Sequence, residues 1–326
     1  MYLLYALPIS GRKVCGKFSE RKVAKGQKTC YNLSVSLHKS GTGTLSRAYH
    51  SGKGAIALKY KFISDSHTHS ENSFDGKDSV LLLCERAAQL GLYSLTITDH
   101  CECHEYYANN VRQDIEGSVR DTLKARGVYA DRLRIYTGIE LGQPTQDPSA
   151  AAEALSLAEY DFVLGSLHNL RGEQDFYFLH YTADNVHDLL DRYFEELLEL
   201  VKSDCFDSLA HLTYPFRYVA AEPSLRITPK DYADQIDTVL EQLAHQQKAL
   251  EVNTSGLRQK IGVTLPDEAI LRRFHELGGR YVTVGSDAHR WGDIASGIED
   301  ALPMLQRCGF SHFTVYQKRT PDLFPI

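Results

Sequence analysis

The sequence predicts an α/β barrel, a ring of parallel strands with a helix after each. Three observations point there. Short β-branched or aromatic runs alternate along the chain with apolar stripes at helical spacing, the signature of parallel β/α units. Eight such runs occur within 326 residues, room enough for a barrel of about 250 residues. Polar residues also gather just past the C-terminal end of nearly every run, and a barrel brings those ends to the rim where active sites are built.

The runs follow in order. Lys61–Asp65 leads into Asp65-Ser-His67-Thr-His69, and Tyr93–Thr98 into Thr98-Asp99-His100. Arg134–Ile139 ends on Gly138-Ile-Glu140, and Phe162–Leu167 on Gly165-Ser-Leu-His168. Ser208–Leu212 carries His211, Ala249–Val252 runs into Asn253-Thr-Ser-Gly, and Arg280–Val284 into Ser286-Asp287-Ala-His289. His312–Tyr316 is the last. Between them lie stripes such as Val80, Leu83, Cys84, Ala87, Ala88, and Leu189, Leu190, Tyr193, Leu197, Leu200, Val201. No repeat or low-complexity segment interrupts the alternation.

Composition narrows the class. Net charge is −6, with 43% hydrophobic and 24% charged residues, ordinary for a soluble globular protein. No apolar stretch reaches the roughly 20 residues needed to span a bilayer, and the N-terminus lacks the pattern of a secretory signal. Seven scattered cysteines form no disulfide framework, so a reducing cytoplasm is expected. Cys101-Glu-Cys103-His104 has no second cysteine pair to complete a structural zinc site. Met1–Lys61 carries twelve Lys or Arg and one acid, +11, which leaves −17 for the rest. Residues 1–60 therefore read as a basic, poorly ordered and dispensable extension, a nucleic-acid arm or transit peptide being the alternatives. Residues 61–326 form the barrel domain.

His67 and His69, two apart on a strand, share one face. Imidazole and carboxylate donors together suit zinc, iron or manganese, and a rim of six histidines with carboxylates is costly unless cations occupy it. With no cysteine at these positions the site is open and catalytic in type. Each histidine alone is as well explained by packing, and Asp99 or Asp287 by helix capping; their joint placement at strand ends defeats that explanation. His38, His50, His104, His180, His187, His245, His275 and His312 lack it and are read as surface or packing residues.

The segments DSHTHSENSFDG, TITDH, GIELG, DFVLGSLHN, AHLTYPFR, EVNTSGLR and VGSDAH resemble, in order, the motifs of the polymerase-and-histidinol-phosphatase (PHP) superfamily. The resemblance covers about Lys61 to the C-terminus. It implies a distorted (β/α)7 TIM-like barrel and two or three divalent ions, Zn, Mn or Fe. His67, His69, Glu140 and Asp287 would hold the first; Glu140, His168 and His211 the second; Asp75, His100 and His289 the third. Some relatives carry histidine where this chain has Asp75.

Within the superfamily the later motifs look most like histidinol-phosphate phosphatase, a cytoplasmic enzyme of histidine biosynthesis. Arg217 and Arg258 would then bind substrate phosphate, a match between a guanidinium fork and phosphoryl oxygens. Ser255 is placed with them, and Tyr214 and Asn253 are further candidates to line the pocket. Glu102 and Glu105 are candidates to meet a cationic substrate. The implied reaction is hydrolysis of a phosphate monoester by a metal-bridging hydroxide, with Glu140 and Asp287 holding the cations. Three alternatives stay open: a PHP phosphoesterase acting on nucleotides or nucleic-acid ends, a non-catalytic metal-binding PHP domain, and an amidohydrolase, which would use a bridging lysine. The acidic barrel disfavours nucleic acid, and oligomeric state is not readable.

Overall fold

The computed structural model describes residues 59–222 and 224–326. The expectation for residues 1–60 lies, but for its last two residues, outside them. Strands β1 (Ser64–Asp65), β2 (Ser94–Ile97), β3 (His100–Glu102), β4 (Arg134–Gly142), β5 (Phe162–Ser166), β6 (Ser208–Leu209), β7 (Ala249–Asn253) and β8 (Val282–Gly285) form one parallel sheet. β2 and β3 act as one strand interrupted at Thr98-Asp99. Both pair with β4 in a single register, Ile97 opposite Thr137 and His100 opposite Glu140. The ring thus has seven strand positions, and its ends meet. Ser66 N donates to Val284 O at 2.9 Å, Asp287 N to His67 O at 2.8 Å and His69 N to Ala288 O at 2.8 Å.

Helices α1 (Val80–Leu90), α2 (Val111–Val128), α3 (Pro148–Ser156), α4 (Val186–Lys202), α5 (Phe216–Val219), α6 (Ala233–Gln246), α7 (Glu268–Glu276) and α8 (Ile298–Arg307) fill the connections. The apolar stripes are turned inward: all six stripe residues expected in α4 are buried. α1 starts where the Ser79 side chain accepts from Leu82 N and stops at Gly91, whose φ of +80° favours glycine. None of the described helices is long and apolar enough to cross a membrane.

β6 is shorter than its sequence run, for a reason that concerns the site. Past Leu209 the His211 amide donates to the Glu251 carboxylate at 2.8 Å, and beyond the end of β1 the Thr68 amide likewise donates to Thr98 Oγ1 at 3.0 Å. Backbone donors that a ladder would use are diverted to side chains.

The eighth run is a strand, but it stands outside the seven positions of the ring. β9 (His312–Gln317) pairs antiparallel with β10 (Thr320–Pro325). The hairpin covers the N-terminal ends of the strands, where Phe324 packs on Phe62 and Tyr93, and Arg319 pairs with Asp207 at 2.9 Å. Its two turn residues, Lys318 and Arg319, both have positive φ, 50° and 59°. Such turns usually advertise themselves with Asn or Gly, so the sequence carried no hairpin signal here.

Candidate metal centre

Alternation along the strands sends Glu140 of β4 and His100 of β3 into the mouth of the ring. The segments after β1, β5, β6 and β8 bring His67 and His69, His168, His211, and Asp287 and His289 to the same place. Four overlapping clusters result among the described residues. Donor atoms of His67, His69 and Asp287 lie within 4.8 Å of one another, as do those of His67, Glu140 and His211, of His100, Glu140 and His168, and of His69, His100 and His289. Glu140 sits between them: Oε1 is 3.1 Å from His168 Nε2 and 3.0 Å from His211 Nε2, and Oε2 is 3.3 Å from His67 Nε2. At the outer edge Asp75 spans His289 Nε2 at 3.0 Å and His100 Nε2 at 3.6 Å. Asp75 is 39% exposed and His289 29%, so this third group is the open one.

Further carboxylates aim the imidazoles. Glu251 Oε1 takes His67 Nδ1 at 2.6 Å, and Glu102 Oε1 takes His168 Nδ1 at 2.9 Å. With Nδ1 engaged as a donor, each Nε2 presents its lone pair inward, the arrangement that supports a metal-bound histidine. Nε2 of His67 consequently faces Nε2 of His69 at 2.9 Å, and Nε2 of His168 faces that of His211 at 3.3 Å. Asp65 accepts from Ser286 N, Ser286 Oγ and Ala295 N, locking the loop that carries Asp287. Asp99 does the same for Ser70 and Ser73 beside His69. Asp287 itself has φ +54°, a conformation costly for a non-glycine residue and characteristic of functional sites.

The electrostatics ask for positive charge. Burial alone would raise the Glu140 carboxyl, yet His67, His168 and His100 hold it well below the carboxylate range. Burial likewise pushes His168 down, but Glu102 and Glu140 more than reverse this and raise it to about 10. His69 goes the other way, lowered by burial and by His100 and His289. Glu140 Oε2 and Asp75 Oδ1 are buried without a hydrogen-bond donor, although imidazole nitrogens surround both. Orphaned carboxylate oxygens among inward lone pairs form a nitrogen–oxygen donor set of the kind that divalent cations satisfy. The residues fit the group.

A cavity of about 870 Å³ opens over this rim. Arg217 lines it, nearly buried, with its guanidinium over the Tyr214 ring at 4.5 Å and 3.8 Å from Asp287 Oδ2. The other two residues expected at the phosphate do not line it. Arg258 donates to Ser286 O at 2.8 Å behind the Asp287 loop, and Ser255 Oγ donates to Asn253 at 2.6 Å and to Asp287 Oδ2 at 3.2 Å. Both brace Asp287 and its loop from the 3-10 turn Ser255–Arg258 that follows β7. Glu102 and Glu105 both line the cavity; Glu102 is in addition engaged with His168 and lies 3.3 Å from His100 Nδ1.

Glu251 is the residue that sequence reasoning missed, along with the bracing by Asp65 and Asp99. A signal existed: in Ala-Leu-Glu251-Val-Asn an acid stands inside an otherwise apolar buried strand, where a lone charge is expensive.

A family model described as the PHP domain matches residues 65–255. A probable histidinol-phosphatase of Thermotoga maritima is 30% identical over 256 residues, 78% of this chain and 96% of the relative. One from Clostridium acetobutylicum is 28% identical over 76% of this chain and 94% of the relative. Among solved structures, the histidinol phosphate phosphatase of Lactococcus lactis, complexed with zinc, L-histidinol and phosphate, superposes with a TM-score of 0.63 at 22% identity. It covers 79% of this chain and 98% of that one, and at this identity it speaks to the fold.

Proposed function

The chain belongs to the PHP domain family and is a hydrolase of the phosphatase type, and on that premise we propose that its substrate is histidinol phosphate, cleaved to histidinol and phosphate. The observation that carries this reading is the polarity of the cavity. Its floor holds the His, Asp and Glu donors and Arg217, the one Lys or Arg among its described lining residues; its wall carries Glu105, Asp114, Glu173 and Asp175. A floor of that kind receives a phosphoryl group, and an acidic wall suits an alcohol that bears a cation. Phe74, Tyr177 and Phe178, each more than half exposed at the same cavity, offer flat surfaces to a ring.

His67, His69 and Asp287 with Glu140 would hold one cation, Glu140 with His168 and His211 a second, and Asp75, His100 and His289 a third. Divalent cations supply Lewis-acid charge that acidifies water and neutralises phosphoryl oxygens. The protein's share is positional. Glu140 keeps two donor clusters within reach of one carboxylate, and Glu251 and Glu102 fix the imidazole tautomers. Arg217 offers Nε and Nη2, both buried without a partner, to phosphoryl oxygens.

A nucleotide or nucleic-acid end would bring further negative charge against the acidic wall, and among the described residues no lysine lines the cavity as an amidohydrolase would require. A panel of phosphate monoesters assayed with added manganese or zinc, reading released phosphate, tests the proposal. Histidinol phosphate should give the highest kcat/KM; a nucleotide or sugar phosphate turned over far faster would defeat the assignment.

A further inference from the structure

Arg217 poses a problem of restraint. Its side chain is 7% exposed, its nearest carboxylate oxygen is 3.8 Å away, and Nε and Nη2 bond to nothing. A free arginine side chain gives up rotamer entropy when a ligand immobilises it. The guanidinium is instead held by a ring. It lies over Tyr214, three residues earlier on the turn that enters α5, and the Arg217 amide donates to Tyr214 O at 3.3 Å.

Tyr214 is pinned in turn. Its hydroxyl donates to Asp175 at 3.0 and 3.2 Å and accepts from the Tyr218 hydroxyl at 3.0 Å. Its ring stands against His211 at 4.9 Å and His168 at 5.1 Å. Asp175 is anchored independently of Tyr214. Asn169 bridges to it across a short antiparallel pair, the next residue's amide donates to His168 O at 2.9 Å, and its carboxylate accepts from Tyr177 N at 2.6 Å. A continuous path therefore runs from the end of β5 through Asp175 and Tyr214 to the guanidinium.

We propose that Asp175, acting through Tyr214, is a positioning residue that sets the Arg217 guanidinium for the phosphoryl group. The inference rests on the reading of Arg217 as the phosphate-binding cation. The same carboxylate caps the 3-10 turn Phe176–Phe178 that presents Tyr177 and Phe178 at the rim, so one group fixes both the phosphate side and the alcohol side of the cavity. Asp175 is needed as an acceptor, and Tyr214 as a ring held at its hydroxyl.

The test uses the full-length, metal-loaded protein with Asp175→Asn, Tyr214→Phe, Arg217→Ala and the double variant Tyr214→Phe/Arg217→Ala. Inhibition by inorganic phosphate, KM and kcat for histidinol phosphate and for p-nitrophenyl phosphate, and bound metal are measured for each. Tyr214→Phe removes one oxygen and keeps the ring, so folding is not at issue. Asp175→Asn and Tyr214→Phe should each weaken phosphate inhibition about tenfold and raise KM for both esters, with metal content unchanged. The double variant should be no weaker than Arg217→Ala, since contacting residues acting on one function are non-additive. Additive losses, or an Asp175→Asn defect confined to the cationic ester, overturn the positioning role while leaving Arg217 at the phosphate. Unaltered phosphate inhibition in Arg217→Ala overturns the inference and the Arg217 assignment together.

Discussion

Glu251 shows how much of a metal site lies one contact behind its ligands. Its two oxygens take His67 Nδ1 and the His211 amide, residues assigned to different cations. Glu251→Gln keeps the shape but weakens the acceptor toward both, and metal affinity should fall roughly 10–100-fold, read by competition with a chromophoric chelator; an unchanged affinity would deny the bracing role. His168→Ala removes a donor from the cluster around Glu140, so phosphate release should be abolished while circular dichroism stays native. The residue types were legible from the sequence because imidazole and carboxylate at strand ends are chemically conspicuous. The bracing contacts were not, since Glu251 and His67 stand 184 residues apart and nothing local pairs them.

Strands and turns set the tolerances within which those residues meet. β8 passes so close to the site that a Cβ on Gly285 would stand 2.4 Å from His67 Cβ and 2.5 Å from Glu251 Oε1. Gly285→Ala must push His67 and its brace apart, and the expected result is loss of bound metal and activity in a protein whose secondary structure persists. The C-terminal hairpin offers the opposite case. Arg319 holds Asp207 at the end of the barrel away from the cavity, so Arg319→Ala should lower Tm by an amount equivalent to about 1–3 kcal/mol and leave kcat unaltered. A fall in kcat at unchanged Tm would contradict this division between the two ends. Sequence periodicity found β9 as a strand but not its antiparallel partner, because alternation reports burial of a face and says nothing of which strand lies alongside.

Across the whole molecule, the concentration of buried charge at one rim ties stability to cations. Glu140, Asp287, His67 and His69 are all buried, and their mutual compensation is incomplete without positive charge. Chelation should lower Tm, and manganese or zinc should restore it by mass action, about 2.7 kcal/mol at a hundredfold excess over Kd; a Tm indifferent to chelator would count against cations at this rim. The matched family region begins at residue 65, and a chain starting at residue 59 is expected to retain both Tm and phosphatase activity, as activity assays on the shortened protein would show.

The amino-acid order alone carried the alternation of strands and helices and the polar signature at each strand's end, where His67, His69, His100, Glu140, His168, His211, Asp287 and His289 stand. These are properties of residue type and short-range spacing, which the chain carries before it folds. Only the closed ring decided that Arg217 faces the cavity while Arg258 and Ser255 stand behind Asp287, and that Glu102 and Glu251 orient imidazoles. Those relations depend on which distant segments the barrel brings into contact, and no local pattern records them.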